Sequence, residues 1–401
     1  MRVLVITDGL EPSLHGTVVG LAERGHNVRV VGAHSGDELD PITAFRLGGR
    51  VRLTIGRGHR SLSRASHTTR LATRVAMTDA GLLRRIVGRA RHGGAPLPTA
   101  FECVTRAIPL IAEPVDVLYF EAANVAAQHV RVLDLLGPKV LMCTGSDVRI
   151  LPDFDPWLAR ALPPVFAAMM HVVCPSHELR HFAVRRGAPP ARTVVLYPPV
   201  DTKYFHPAGR PRRDDDVLRL VSVGRMHWVK GYEDAMRSVA LARAAGHDVM
   251  YTIVGADEGA GQALRYAAHD LGLDEVITFA GPRSHAGVRA ALARADVFML
   301  SSVSEGASRS ALEAMAMGLP VVTTDVGGMR EIVDDGVEGF VVPSRDPQSL
   351  ANAIVSLATS PGRRRELGTR ARARAERYDA SMHLDRIEEL LLDAFERGGA
   401  P

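Results

Sequence analysis

The chain has 401 residues, 46% hydrophobic and 23% charged, with a formal net charge of +4. That length suits about two domains, each able to bury its own core, and the apolar fraction argues against wholesale disorder. Three scattered cysteines (Cys103, Cys143 and Cys174) argue against a disulfide framework or a cysteine zinc site and fit a reducing cytosol. No run of about 18 apolar residues occurs, so no membrane-spanning helix is expected.

In chain order, Met1-Arg2-Val3-Leu4-Val5-Ile6 reads as a buried strand and not as a signal peptide. β-rich runs follow at Val3–Thr7, Asn27–Val31, Asp116–Phe120, Lys139–Cys143, Val172–Cys174 and Thr193–Tyr197. Helical patterns fill Thr17–Arg24, Val125–Leu136 and Glu178–Arg186, with Gly25 and Gly187 where left-handed caps belong. Between Arg46 and His92 stand twelve arginines and one acid, Asp79. Within that run Thr78–Arg91 is amphipathic, with Arg84, Arg85, Arg89 and Arg91 largely off the apolar stripe. Such a helix packs on a core or lies on an anionic membrane surface. Nucleic acid is not expected, because no zinc-finger, RNA-binding or basic-zipper motif accompanies the charge.

Pro198-Pro199 and the charged loop Arg212-Arg213-Asp214-Asp215-Asp216 mark a domain boundary. A second strand series follows at Leu218–Gly224, Val249–Val254, Val276–Ala280, Val297–Leu300, Val321–Thr324 and Phe340–Val342. Asp346-Pro347 reads as an N-cap with a first-turn proline, and Arg363–Arg377 as a solvated basic face. The expected architecture is α/β: two doubly wound parallel sheets, residues 1–199 and 200–378, with a helix at 379–397 packing back on the first. Two facing domains of this kind leave a cleft at the carboxyl ends of their strands.

The chemistry-bearing patterns fall in the second domain. Of 49 basic residues only Lys139, Lys203 and Lys230 are lysines. Gly224-Arg225…Lys230-Gly231 puts Arg225 and Lys230 on one strand-to-helix loop. There a guanidinium fork and an ammonium point charge suit phosphate oxygens; two surface cations on a loop are the plain alternative. Glu305-Gly306-Ala307-Ser308 opens a helix whose first N–H groups suit an anion. Glu305 and Glu313, eight apart, would stand roughly 12 Å apart if the interval is mostly helical. Glycosidase pairs are closer, at about 5 to 9.5 Å, which disfavours paired-carboxylate hydrolysis. The plain alternative is a dipole-stabilising Glu305 and an exposed mid-helix Glu313. Gly327-Gly328 and their neighbours are explained by turns alone.

Together, Gly224-Arg225…Lys230-Gly231, Glu305-Gly306…Glu313-Ala314-Met315-Ala316 and Gly318-Leu319-Pro320-Val321-Val322…Gly327-Gly328 resemble the retaining group-1 glycosyltransferases of the GT-B superfamily. The match covers about Leu218 to Leu357 well. The resemblance implies a GT-B fold of two facing Rossmann-like domains with an interdomain cleft. It implies transfer of a sugar, with retention, from a UDP- or GDP-linked donor to an acceptor hydroxyl in cell-envelope glycan or glycolipid assembly. By resemblance Arg225, Lys230 and Glu305 are catalytic. Gly224, Gly306, Ala307, Ser308 and Glu313 bind the donor, with Glu313 at the ribose and Pro282 and Arg283 at the base. No cofactor is implied and no metal is expected, since fixed cations can take the metal's place; Asp153-Phe154-Asp155, in a proline-flanked loop, only superficially matches a metal motif.

The first domain resembles the family loosely. Only Gly16 stands near the usual Gly-Gly loop, and Thr144 occupies the place of a common catalytic His before Gly145-Ser146-Asp147. His15, Thr144 and Asp147 are the acceptor-side residues expected. The acceptor is a lipid-linked sugar at an anionic membrane, served by the Arg46–Arg91 arginines of a cytoplasmic, peripheral protein, or a soluble natural product. A nucleotide-sugar 2-epimerase is the other enzymatic reading.

Overall fold

A computed structural model describes residues 1–8, 12–32, 50–55, 72–73, 75–77, 79–91, 97–207 and 216–398. The chain divides into two units, Met1–Leu196 with Leu384–Pro401, and Tyr197–His383.

The first unit carries a parallel sheet of β1 (Arg2–Ile6), β2 (Asn27–Gly32), β3 (Val51–Ile55), β4 (Val117–Phe120), β5 (Lys139–Met142), β6 (His171–Cys174) and β7 (Thr193–Val195). Their order is β3-β2-β1-β4-β5-β6-β7. Successive strand side chains point to opposite faces, so each apolar strand feeds two cores. Leu4, Ile6, Leu118 and Phe120 join one cluster; Val3, Val5, Val117 and Tyr119 join the other. The helix Ala380–Gly398 covers the second face with Ile387, Leu390, Leu391 and Ala394. It lies close over the helix Pro12–Glu23, where a Cβ on Gly20 would come within 2.4 Å of Leu384. Ion pairs from Arg24 to Asp385 and Glu388 flank that contact. Gly25 and Gly187 have φ of 93° and 101°, the left-handed caps expected of them.

The second unit repeats the plan with β8 (Leu218–Val223), β9 (Val249–Val254), β10 (Ile277–Gly281), β11 (Val297–Leu300), β12 (Val321–Thr324) and β13 (Gly339–Val342). The order is β10-β9-β8-β11-β12-β13, again parallel. Asp346 caps the helix Pro347–Ala358, accepting from the Ser349 N–H at 3.0 Å, as its position before Pro347 suggested.

Three local expectations need correction. Val125–Leu136 is not one helix: a helix spans Ala123–Ala127 and a separate turn Leu133–Leu135. The β-branched Val130 and Val132 between them are poor helix formers. Strand β3 lies inside the arginine run, where its alternation is masked by charge. Asp153 and Phe154 belong to the short helix Leu151–Phe154, and Asp155 caps the helix Pro156–Ala168. The expected charged loop at 212–216 lies outside the described residues except for Asp216, as do six of the twelve arginines from Arg46 to Arg91.

Candidate functional site

In an open parallel sheet, loops leaving adjacent strands diverge to opposite faces where the strand order reverses, and the crevice between them takes ligands. In the second unit that point lies between β8 and β11. The two loops leaving it are Gly224–Gly231 and Ser301–Ser308, the two motifs the sequence singles out.

The fold brings Lys230 and Glu305 together there. Lys230 Nζ donates to Glu305 Oε2 at 2.7 Å, and Ser302 Oγ donates to the same oxygen at 3.1 Å. Both charged side chains are about 15% exposed, enough for a ligand to reach them but too little for water to screen them fully. The loops are also tied by backbone: Val303 N–H donates to the Val229 carbonyl at 2.8 Å, and Ser301 Oγ to the Lys230 carbonyl at 3.0 Å. Gly231 must be glycine, because its φ is 61° and a Cβ would lie 2.1 Å from the Ser301 carbonyl oxygen.

Gly327 has the same kind of constraint. Its φ is 59°, and a Cβ would stand 1.7 Å from the Glu305 carbonyl oxygen. Gly328 N–H donates to the Gly306 carbonyl at 2.5 Å. The glycines that turns alone seemed to explain thus hold the Glu305-Gly306 backbone in place.

Arg225 leaves the same loop but turns outward. Its Nη1 donates to both carboxylate oxygens of Glu258, at 3.1 and 2.8 Å, on the loop after β9. Lys230 and Arg225 therefore face different carboxylates. Glu258 was not singled out from the sequence, and no spacing motif includes it.

The helix Arg309–Ala316 begins only after Ser308, whose Oγ accepts from Ala311 N–H at 3.3 Å. Glu305 is outside the helix, so the 12 Å spacing expected from a mostly helical interval loses its basis. Glu313 is buried, not exposed as its plain reading had it, and burial raises its carboxyl to about 7 against the pull of Arg309. His285 Nε2 lies 3.9 Å from Glu313 Oε1 and stacks on Tyr204 with centroids 4.7 Å apart. Burial and Arg309 lower the His285 pKa. Pro282 and Arg283 are exposed directly after β10, on the same carboxyl edge of the sheet.

In the first unit the order reverses between β1 and β4, where Thr7 Oγ1 donates to the Glu121 carboxylate. His15 is half-buried and Gly16 exposed on the helix Pro12–Glu23, and open space surrounds the place of a Gly16 Cβ. The expected loop residues Gly9, Leu10 and Glu11 lie outside the described residues. Asp147 is fully buried and accepts from the Ala123 and Thr144 N–H groups at 2.5 and 2.8 Å. Burial nevertheless raises its carboxyl to about 7. Its carboxylate ties two loops together, while Thr144 Oγ1 meets Ser146 Oγ at 3.2 Å.

Not all of the arginine run can serve this edge. Arg50 and Arg52 stand at the start of β3 and line a groove of about 210 Å³ with Arg2, Asn27, Arg29 and Glu113, at the amino ends of the strands. Arg89 pairs with Asp134. Asp153 pairs with Arg186 at 2.6 Å, and Asp155 accepts from the Trp157 and Leu158 N–H groups, so both carboxylates are already engaged.

The segment 218–360 matches the family model for glycosyl transferases, group 1. It is a group 1 glycosyltransferase domain. A D-inositol 3-phosphate glycosyltransferase of Geodermatophilus obscurus is 35% identical over 233 residues, 54% of this chain and 50% of that protein. The chain spans about half the length of the curated relatives of that name which it matches. The amylovoran biosynthesis glycosyltransferase AmsK of Erwinia amylovora is 26% identical over 352 residues, covering 83% of this chain and 84% of AmsK. The structure of Anabaena HepE in complex with UDP superposes with a TM-score of 0.72 at 18% identity, over 98% of this chain and all of HepE. With the two sheets described above, that likeness places the fold among the GT-B glycosyltransferases.

Proposed function

We propose that the protein transfers a sugar from a nucleotide-diphosphate sugar to an acceptor hydroxyl, with the donor held at the β8/β11 switch point. The observation that carries this reading is the Lys230–Glu305 pair, set between the two loops that leave β8 and β11. A diphosphate arriving there meets an ammonium fixed in place and the N–H groups that open the Arg309–Ala316 helix, and Arg225, on the same loop, joins them by turning from Glu258. As the bond to the sugar breaks, the departing diphosphate gains charge. Donors already in position stabilise it without reorganising, and no proton has to move to the leaving group. These fixed cations fill the place of a metal, so the reaction proceeds without one. Glu305 keeps the Lys230 ammonium oriented and meets the donor-sugar hydroxyls. Glu313, about one turn into the Arg309–Ala316 helix, takes the ribose, with Pro282 and Arg283 beside the base.

HepE has been solved with UDP and with UDP-glucose, which supports a UDP-linked donor. AmsK is named as a glycosyltransferase of amylovoran biosynthesis, which supports a role in glycan assembly. Retention at the anomeric carbon follows the resemblance of the two motifs. Relatives are named as transferases, which disfavours the epimerase reading. Thermal-shift screening against UDP, GDP, ADP and dTDP sugars, then an acceptor screen with the best donor, tests the proposal. One donor should stabilise the protein and be consumed only with an acceptor present. Epimerised sugar released without acceptor, or no stabilisation by any donor, would contradict it.

A further inference from the structure

Strands β11 and β12 pair as far as Leu300 and Thr323, the last rung of their ladder. One residue on, a side chain takes over from the backbone. Thr324 Oγ1 donates to the Ser302 carbonyl at 2.6 Å, and Ser344 Oγ, on the loop after β13, donates to the same carbonyl at 3.4 Å. Ser302 and Thr324 are both fully buried. Beyond Glu305, Gly328 N–H holds the Gly306 carbonyl. The backbone that carries Glu305 is therefore fastened on both sides of it. A carboxylate on a fastened backbone still turns about its terminal bond, whose torsion is broad and nearly two-fold. An ammonium alone does not stop that turn, because a point charge on a flexible stem can follow it. The Ser302 hydroxyl supplies what is missing. Its Oγ donates to Glu305 Oε2 at 3.1 Å, the oxygen that Lys230 Nζ meets at 2.7 Å. An ionised carboxylate only accepts, so the single hydroxyl proton of Ser302 lies on this bond. Two donors from different loops on one oxygen fix which oxygen faces Lys230 and how the group is turned.

We infer that Ser302 is a positioning residue for sugar transfer. It sets the rotation of the Glu305 carboxylate, and through it the Lys230 ammonium, while Thr324 holds Ser302 in place. The inference rests on the glycosyltransferase reading and deepens it by separating two tasks. Charge at Lys230 holds the diphosphate; orientation at Glu305 serves the transfer step, where a small misplacement is felt more in rate than in ground-state binding.

The test uses the full chain and the sugar nucleotide that the unaltered protein consumes fastest among UDP-glucose, GDP-mannose, ADP-glucose and dTDP-glucose. Release of the nucleoside diphosphate gives kcat, and calorimetry gives the affinity for that diphosphate alone. Ser302→Ala should lower kcat about tenfold or more and keep diphosphate affinity within about threefold, as loss of a hydrogen bond that orients without binding requires. In a Glu305→Gln background the same substitution should cost less than about twofold, because a residue that acts through Glu305 has nothing left to orient. Thr324→Val keeps the side-chain shape without the hydroxyl and should lower kcat in the same sense; Thr324→Ser should restore it. That pair decides the matter if Ser302→Ala fails to fold. Turnover unchanged in Ser302→Ala or Thr324→Val, the full loss repeated in the Glu305→Gln background, or a fall in diphosphate affinity as large as the fall in kcat would overturn the inference. An unaltered protein that consumes no sugar nucleotide would instead remove the transferase reading, and the inference with it.

Discussion

Lys230 and Glu305 share a hydrogen bond in a largely dry place, so removing either takes the opposite charge from beside the other. Breaking such a pair costs more than removing both partners, because one charge is left buried and unpaired. Lys230→Ala and Glu305→Ala should each lower the thermal midpoint by several degrees, and the double variant should recover part of the loss. Turnover should behave the same way: the two single losses should fail to multiply, as expected of residues acting as one unit. Fully multiplicative losses in turnover would show that the two side chains work independently. Glu313 makes a second prediction. Its carboxyl is raised to about 7 by burial, above the ordinary value near 4.3. Its folded form therefore binds a proton that the unfolded chain releases, so stability is greatest below about pH 4 and falls as pH rises through 7. Glu313→Gln should raise the melting temperature at pH 8 relative to the unaltered protein and weaken nucleotide binding there. Melting curves from pH 5 to 9 check the first effect, and an unchanged pH dependence would contradict the assignment.

Strands and loops differ in how much the sequence reveals of them. In the second unit β9, β11 and β12 stand where apolar runs bounded by polar residues place them, because a strand covered on both faces needs little besides apolar side chains. The loops carrying Arg225, Lys230 and Glu305 were legible as motifs, since those residue types on strand-to-helix turns have few structural uses. The partners were not legible. Glu258 lies 33 residues from Arg225, and nothing local marks it. Gly327 read as an ordinary turn because its real constraint, the Glu305 carbonyl, comes from another loop. Gly327→Ala tests that constraint. Its Cβ must displace the Glu305-Gly306 backbone, so turnover should fall by roughly a hundredfold while secondary structure survives, in line with the effect of a 1 Å misplacement. Turnover within twofold of the unaltered protein would mean that the loop is not held there. In the first unit, charge hid β3, and the arginines divided between the sheet's amino edge and a helix that pairs with Asp134.

At the scale of the whole molecule, two doubly wound sheets of the same plan carry different chemistry. The second sets the cations Lys230 and Arg225 on the loop after β8; the first offers hydroxyls and carboxylates at Thr7, Glu121 and Thr144. That division matches a donor held by its diphosphate and an acceptor held by its hydroxyls. With cations proposed to take a metal's place, activity should persist in excess EDTA, and loss restored by magnesium or manganese would reopen the role of Asp153 and Asp155. The β8/β11 switch point is proposed to hold a nucleoside diphosphate through Lys230. Calorimetric titration of UDP and GDP into the full chain in EDTA tests it most directly, with Lys230→Ala and Arg225→Ala alongside. Saturable binding of one nucleotide at one site is expected, weakened at least about tenfold in Lys230→Ala, as loss of a charge-assisted hydrogen bond requires. Binding of neither nucleotide, or the same affinity in both variants as in the unaltered protein, would contradict it.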